Sequence, residues 1–406
     1  MFSWRSVSTI ALLLSTSPLF AVTYLVPSDR EMIQRADDIV VATSVDSSVR
    51  RTAGHAVVTD YTLTIQEVLK GKRSPGETLL LTESGGVMPG AALVLSGMPV
   101  YIPGQTYLVF TESNAEGELS TWGLELGQFA LQNDRAVRKA VGFNENWELL
   151  DAEPARDMRG FLDYIRGIVA QKIDPTPHYF VANQGPRFDE AVSALAVTRA
   201  SYLVTGAPRW RNAPAATLVT SGTQPGADGP SAVALAISQW NATSSTIHYS
   251  YAGQDNTAVG GFKTYDGVNA VLFNDPNGEI SSAVLARGGP WSSGSSYTFD
   301  GETFIDIDGG IDIVIADRSF EQACLNVVIT HEIGHTFGLR HSNENGDLSP
   351  VKPCNPITQN CTSNAIMNSG VDCSAGASAA LRDWDRTAVS AVYPHVKPPK
   401  YRSVRH

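Results

Sequence analysis

The stretch from His331 to His341, HEIGHTFGLRH, constrains this chain more than any other part of it. His331 and His335 stand four residues apart, so on a helix they share one face with Cβ atoms about 6 Å apart. Two imidazoles placed that way can reach a single zinc ion at about 2.0–2.1 Å. The helix is expected to be capped at Asp317 or Ser319 and to run to Gly338. Gly338 suits the left-handed conformation that ends a helix, and the turn it permits swings His341 back as a third ligand. Three histidines with one open position form a catalytic pattern, whereas a structural zinc site is normally closed by a fourth protein ligand. Glu332 lies beside the first ligand, where its carboxylate reaches a zinc-bound water without binding the metal. A polar helix with surface histidines is the plain alternative, and it suits a lone histidine better than five matching positions.

The rest of the composition narrows the setting. The chain has 406 residues, enough for two domains with their own cores, and 43% hydrophobic against 17% charged residues mark it as globular. A formal net charge of -11 leaves no basic stripe to neutralise phosphates, which argues against nucleic acid as a partner. The one basic cluster, Lys397 to His406, reads as a short solvated tail. The N-terminus, MFSWRSVSTIALLLSTSPLFA, has Arg5, an apolar run from Val7 to Leu14 and small Ala21, the pattern of a signal peptide over residues 1–21. The run is too short to span a bilayer, which needs about 20 apolar residues. A secreted or periplasmic protein without stable membrane insertion after signal cleavage is therefore expected. The sequence does not specify its oligomeric state.

All four cysteines fall late, at positions 324, 354, 361 and 373. In an exported chain an even number implies disulfides, with three possible connectivities. Pairing Cys354 with Cys361 closes a small loop and leaves Cys324 with Cys373. A four-cysteine zinc site is the competing arrangement, although the spacing is not that of a zinc knuckle or ribbon.

Two domains are expected, giving an α+β protein. Residues 22–172 are β-rich and end in a helix from about Pro154 to Lys172. Val57, Thr59, Tyr61, Leu63 and Ile65 alternate as a half-buried strand. Further strands are expected at Asp38–Val45, Thr78–Thr82, Tyr107–Thr111 and Gln128–Leu131, punctuated by Gly and Pro. A small all-β barrel or sandwich would bury them. Residues 173–186 are Pro-punctuated and read as a linker to a second domain, 187–396. There a helix is expected over Pro230–Asn241, with Val233, Ile237 and Trp240 on one face. Strands are expected at Leu218–Thr220, Ile247–Tyr251 and Ile311–Ile315, and a loop at Pro290–Tyr297. The isolated His55 and His178 read as structural or surface residues.

The run HEIGHTFGLRH followed by AIMN resembles the metzincin metalloproteases, whose signature is H-E-x-x-H-x-x-G-x-x-H with a later Met-turn. The resemblance implies a twisted mixed sheet with an active-site helix and a C-terminal helix. It also implies that Met367 packs beneath the metal as a structural floor. Leu381 to Pro394, LRDWDRTAVSAVYP, is similar to the C-terminal helix of matrixin-like enzymes. Trp210, the helix ending at Trp240, GVNAVLFND and Val284-Leu285-Ala286 resemble earlier matrixin elements, the last being the edge strand that hydrogen-bonds an extended substrate. An ordinary short strand is the alternative there. The likeness spans about Arg209 to Pro394 and is strongest from Thr330 to Met367. The N-terminal part, with DYTLTIQEVLKG and PGQTYLVF, resembles small β-domains that precede peptidase domains in exported bacterial proteins. It fits a propeptide, a substrate-docking module or a folding aid.

Several positions depart from the matrixin pattern. Only His248 lies between Pro186 and His331, so the family's second, structural zinc is not expected. No cysteine precedes Cys324 to block the metal from a propeptide. Asn368 follows Met367, without the nearby Tyr ligand of astacin-like and serralysin-like branches, and cysteines around the Met-turn are also similar to pappalysins. Asp275, Asn277 and Glu279, or Asp306, Asp308 and Asp312, offer oxygens for calcium, but neither set follows a calcium-loop spacing, and both read first as polar turns. The expected activity is zinc-dependent endopeptidase cleavage of protein or peptide substrates, with one catalytic zinc and Glu332 as general base. The alternative is a catalytically inactive zinc-containing binding or adhesion protein.

Overall fold

Period-two burial lays out most of the molecule as sheets, and two long helices fill the space behind one of them. The computed structural model describes residues 23–24, 27–89, 91–93, 97–113, 117–138, 155–171, 177–181, 208–280, 283–299, 302–339, 341, 365–367, 371, 373 and 376–394. The expected signal peptide, the basic tail, Cys354, Cys361 and all of segment 173–186 except 177–181 lie outside these residues.

The N-terminal region contains β1 (Thr23–Tyr24), α1 (Asp29–Arg35), β2 (Ile39–Arg51), β3 (Val57–Lys70), β4 (Thr78–Ser84), β5 (Gly86–Met88) and β6 (Ala91–Leu93). It continues through β7 (Thr106–Ser113), β8 (Leu119–Thr121), β9 (Gln128–Gln132), β10 (Arg135–Val137), β11 (Arg156–Asp157) and α2 (Met158–Val169). One sheet has the order β11-β10-β9-β7-β2-β3-β4, with β8 on β7. The alternation read at Tyr61, Leu63 and Ile65 is real: all three are buried, against Leu79, Leu81, Tyr101 and Tyr107. α2 begins four residues later than expected, where the Asp157 carboxylate accepts from the Gly160 N–H at 2.7 Å.

The second half holds β12 (Pro208–Arg209), β13 (Ala215–Ser221), α3 (Gly229–Asn241), β14 (His248–Gln254), β15 (Ala270–Leu272) and β16 (Val284–Ser292). After these come β17 (Ser296–Phe299), β18 (Glu302–Asp306), β19 (Gly310–Ile315), α4 (Gln322–Thr336) and α5 (Asp383–Val392). The principal sheet runs β14-β13-β15-β19-β16-β6-β5, parallel from β14 to β19 and antiparallel beyond. β12, β18 and β17 form a small third sheet. α3 matches its expected span, with Asp228 accepting from the Ser231 N–H and hydroxyl and with Val233, Ile237 and Trp240 buried. α4 is shorter than expected: it starts at Gln322 after Glu321, because Phe320 is tied to Pro225 O and enters the core before the helix begins.

Two readings need correction. Pro290–Tyr297 is not one loop: Pro290, Trp291 and Ser292 belong to β16, and Ser296 and Tyr297 to β17. Ser, Gly and Pro content misled there, because Trp291 packs into the core with Phe262, Ala270 and Val314 while its indole donates to Asp312 at 2.7 Å. The described part of 173–186 does not hang between domains. Tyr179 is buried among Phe161 and Tyr164, and its backbone carbonyl accepts from the Asp157 N–H. Each half has a core of its own, and the two also share apolar packing, since β6 pairs with β16 and Ala56, Val57, Ala91 and Leu93 cluster with Phe262, Ala270, Leu272 and Trp291.

A buried ion pair fastens the N-terminal region. Arg156 donates to both carboxylate oxygens of Asp29, at 2.9 and 2.7 Å, beneath Tyr179, whose hydroxyl donates to the same carboxylate. Both charges are almost wholly buried, so removing one strands the other. Asp29→Ala is expected to cost about 3–5 kcal/mol, read as a lower urea midpoint; an unchanged midpoint would contradict this role for the pair.

Candidate metal centre

α4 is buried along nearly all its length, from Cys324 to Thr336, and its surroundings position the histidines. Helix ends leave carbonyls without intrahelical partners. Here aromatic side chains supply donors: Trp210 Nε1 to Thr336 O at 3.0 Å, and the Tyr393 hydroxyl to Phe337 O at 2.6 Å. Trp240 Nε1 donates to Thr330 O at 2.8 Å, nearly two turns earlier. Gly338 takes φ 82°, the left-handed turn read from the sequence. That turn brings Leu339 O back to accept from His335 Nδ1 at 2.7 Å and carries His341 to the same side.

The three expected ligands are brought together. His335 Nε2 lies 2.9 Å from His331 Nε2, which lies 3.1 Å from His341 Nε2. Among the described residues these three histidines form the one group able to hold a metal. A carbonyl oxygen only accepts, so Nδ1 of His331, 2.7 Å from Ile366 O, carries its proton, and so does Nδ1 of His335. Their Nε2 atoms are then bare lone pairs facing one another, which cannot hydrogen-bond and need a cation between them. A proton serves poorly: burial pushes the His331 pKa down to about 4, and burial together with the neighbouring His331 depresses that of His335 further. The donor set therefore fits a zinc ion held through three Nε2 atoms, with Nδ1 of His331 and of His335 each supported by a backbone carbonyl. Glu332 is fully buried, as are His331, His335 and His341 to within 3% exposure.

Two glycines permit this packing. A Cβ on Gly334 would lie 2.2 Å from Met367 Sδ and 2.9 Å from the Trp240 ring. Met367 thus presses on the helical turn that carries both histidines. A Cβ on Gly288 would lie 2.6 Å from Glu332 O, so β16 crosses α4 directly at the glutamate. Neither glycine stood out in the sequence, although the pair Gly288-Gly289 inside a strand is a signal of close backbone approach.

Asp385 is the residue that sequence reasoning missed. Its carboxylate accepts from the N–H groups of Ile366 at 2.8 Å, Met367 at 3.2 Å and Arg382 at 2.8 Å. It thereby fixes the segment whose Ile366 carbonyl orients His331. Burial raises its pKa to about 6, although all three backbone donors favour the charged form. An acidic residue three places into the last helix was visible as a capping signal, but its reach to Met367 was not. The disulfide Cys324–Cys373 closes a 49-residue separation between the start of α4 and the chain beyond Met367, worth about 4 kcal/mol by loop entropy.

Other expected sites resolve differently. Val284–Ala286 opens β16, but β19 pairs on one side of Ala286 and β1 on the other, so this stretch is not an open edge. The residues of both calcium candidate sets make hydrogen bonds within the protein, although the buried Asp312 Oδ1 has no partner. Asp275 accepts from Glu279 N and Ile280 N, Glu279 accepts from Phe262 N, and Asn277 donates to Val259 O. Asp306 accepts from Arg211 N, Asp308 from Ser293 N, and Asp312 from Trp291 Nε1. His55, His178 and His248 are exposed.

Asp385→Ala is expected to weaken zinc binding roughly 10–100-fold, the usual effect of removing an outer support, measured by competition with a chelator. Unchanged affinity would mean that the Ile366 carbonyl keeps its place without it.

Residues 217–353 match the matrixin family model. A comparison with curated proteins found no significant match. The matched stretch contains the histidine triad, Glu332, α3, α4 and strands β14 to β19, and this part of the chain is a matrixin-like metzincin domain, a zinc metallopeptidase domain.

Proposed function

We propose that the protein is a secreted zinc-dependent endopeptidase that cleaves peptide bonds of protein substrates, with Glu332 as general base. The observation that carries this reading is the convergence of the Nε2 atoms of His331, His335 and His341, with a buried glutamate next to the first of them on α4. His331, His335 and His341 would hold zinc and leave its fourth position to water or substrate. When bound, zinc supplies Lewis acidity that makes water nucleophilic near neutral pH and polarises the scissile carbonyl. Glu332 accepts the proton of the attacking water and returns it to the leaving amine. β16 at Val284–Ala286 would pair with an extended backbone and so select peptide over side chain.

Export rests on the N-terminal pattern of Arg5, an apolar run and Ala21. Among the described residues no helix is long and apolar enough to cross a membrane. A zinc-containing binding or adhesion protein would need the histidines but not Glu332, and the retained carboxylate favours the enzyme.

Glu332→Gln is expected to keep zinc while losing roughly 10²–10⁴-fold in turnover of a peptide library, the usual weight of a general base. Near-normal turnover would overturn its assignment. His335→Ala is expected to lose metal and activity together, and full zinc occupancy in that variant would count against the ligand set.

A further inference from the structure

The outer side of β16, where an extended substrate would pair, is occupied at both ends by the chain's own N-terminal region. Ala286 pairs with Ile315 of β19 on one side and Thr23 of β1 on the other, and Val284 pairs with Tyr24. At the far end Trp291 pairs with Leu93 and Ser292 with Ala92 of β6. All nine residues of β16 are buried. Gly288, two residues beyond the Thr23 pair, is the position packed against Glu332. The glutamate and the three histidines are themselves at most 3% exposed.

We propose that this is a latent arrangement in which β1 acts as a built-in competitor strand, and that its departure from β16 opens the edge to substrate. The inference rests on the peptidase reading of that same site. The two contacts differ in kind. β6 is anchored, since it pairs with β5 and its Ala91 and Leu93 share a core with Trp291 and Val314. β1 is a two-residue strand that, among the described residues, pairs with β16 alone. Strand addition draws on main-chain hydrogen bonds and is tolerant of side chains, so a two-residue piece of the chain can stand where a substrate would. Because it is tethered, it competes at an effective concentration on the order of mM. A competitor of this type raises KM and leaves kcat alone. It also needs no cysteine, and none precedes Cys324.

The test uses the full chain carrying Glu332→Gln, with and without Thr23→Pro and Tyr24→Pro, and β-casein as an unfolded, extended probe. Proline lacks the N–H that a ladder requires. Backbone amides of Val284–Ala286 are expected to be protected from exchange in the parent and to lose protection in the proline variant, with protection elsewhere unchanged. Casein binding is expected to tighten at least tenfold, and in the Glu332 background KM for casein is expected to fall by a similar factor at constant kcat. Unprotected amides in the parent, an unchanged Kd, or no binding by either form would overturn the inference. Tighter binding without cleavage by either Glu332 form would instead sink the peptidase reading and leave the competitor strand standing.

Discussion

The hydrogen bond from His331 Nδ1 to the Ile366 carbonyl is the contact on which the rest of the site depends. It fixes which nitrogen of His331 is bare and points that nitrogen at His335 and His341. Ile366 is held in turn by Asp385 from the last helix, and Met367 beside it presses against Gly334. A single backbone segment therefore orients a ligand on one side and packs against the helical turn that carries two of the ligands on the other. The Cys324–Cys373 disulfide ties the chain beyond that segment back to the start of the helix that bears the histidines. The packing is tight enough that Gly334 and Gly288 have no room for a methyl group.

How much of this the sequence disclosed follows from the range of each interaction. Helical spacing of His331 and His335, the glycine turn at 338 and the return of His341 are local, and the structure bears out their geometry. α3 was legible because a cap, a proline and a helical apolar face coincide within thirteen residues. Asp385 was not legible, because its partners Ile366 and Met367 are fixed by tertiary packing nearly twenty residues away. β16 was half read as a loop for the same reason: Gly288, Gly289 and Pro290 are poor strand formers, yet pairing with β19 and the proximity of α4 override that preference. Pro290 lies between the β1 and β6 contacts, where β16 has no partner strand on its outer side among the described residues, so its missing N–H costs no ladder bond.

The N-terminal region is better described as part of the same packed body than as a bead on a linker. Its hairpin of β5 and β6 extends the peptidase sheet, and Val284 lies in a cluster with Met32, Phe129 and Phe161. This packing was not legible beforehand, because alternation shows which face of a strand is buried but not which strand lies beside it. The consequence bears on function, since the same contacts that complete the core also cover the strand beside Glu332.

On the proposed function the three histidines hold zinc in an open, catalytic type of site, and X-ray absorption at the zinc edge of the purified full chain is the direct test. One zinc per chain is expected, with three imidazole nitrogens at about 2.0–2.1 Å and one further light-atom ligand from water or substrate. A shell containing sulfur, a fourth histidine, or no stoichiometric zinc would contradict it.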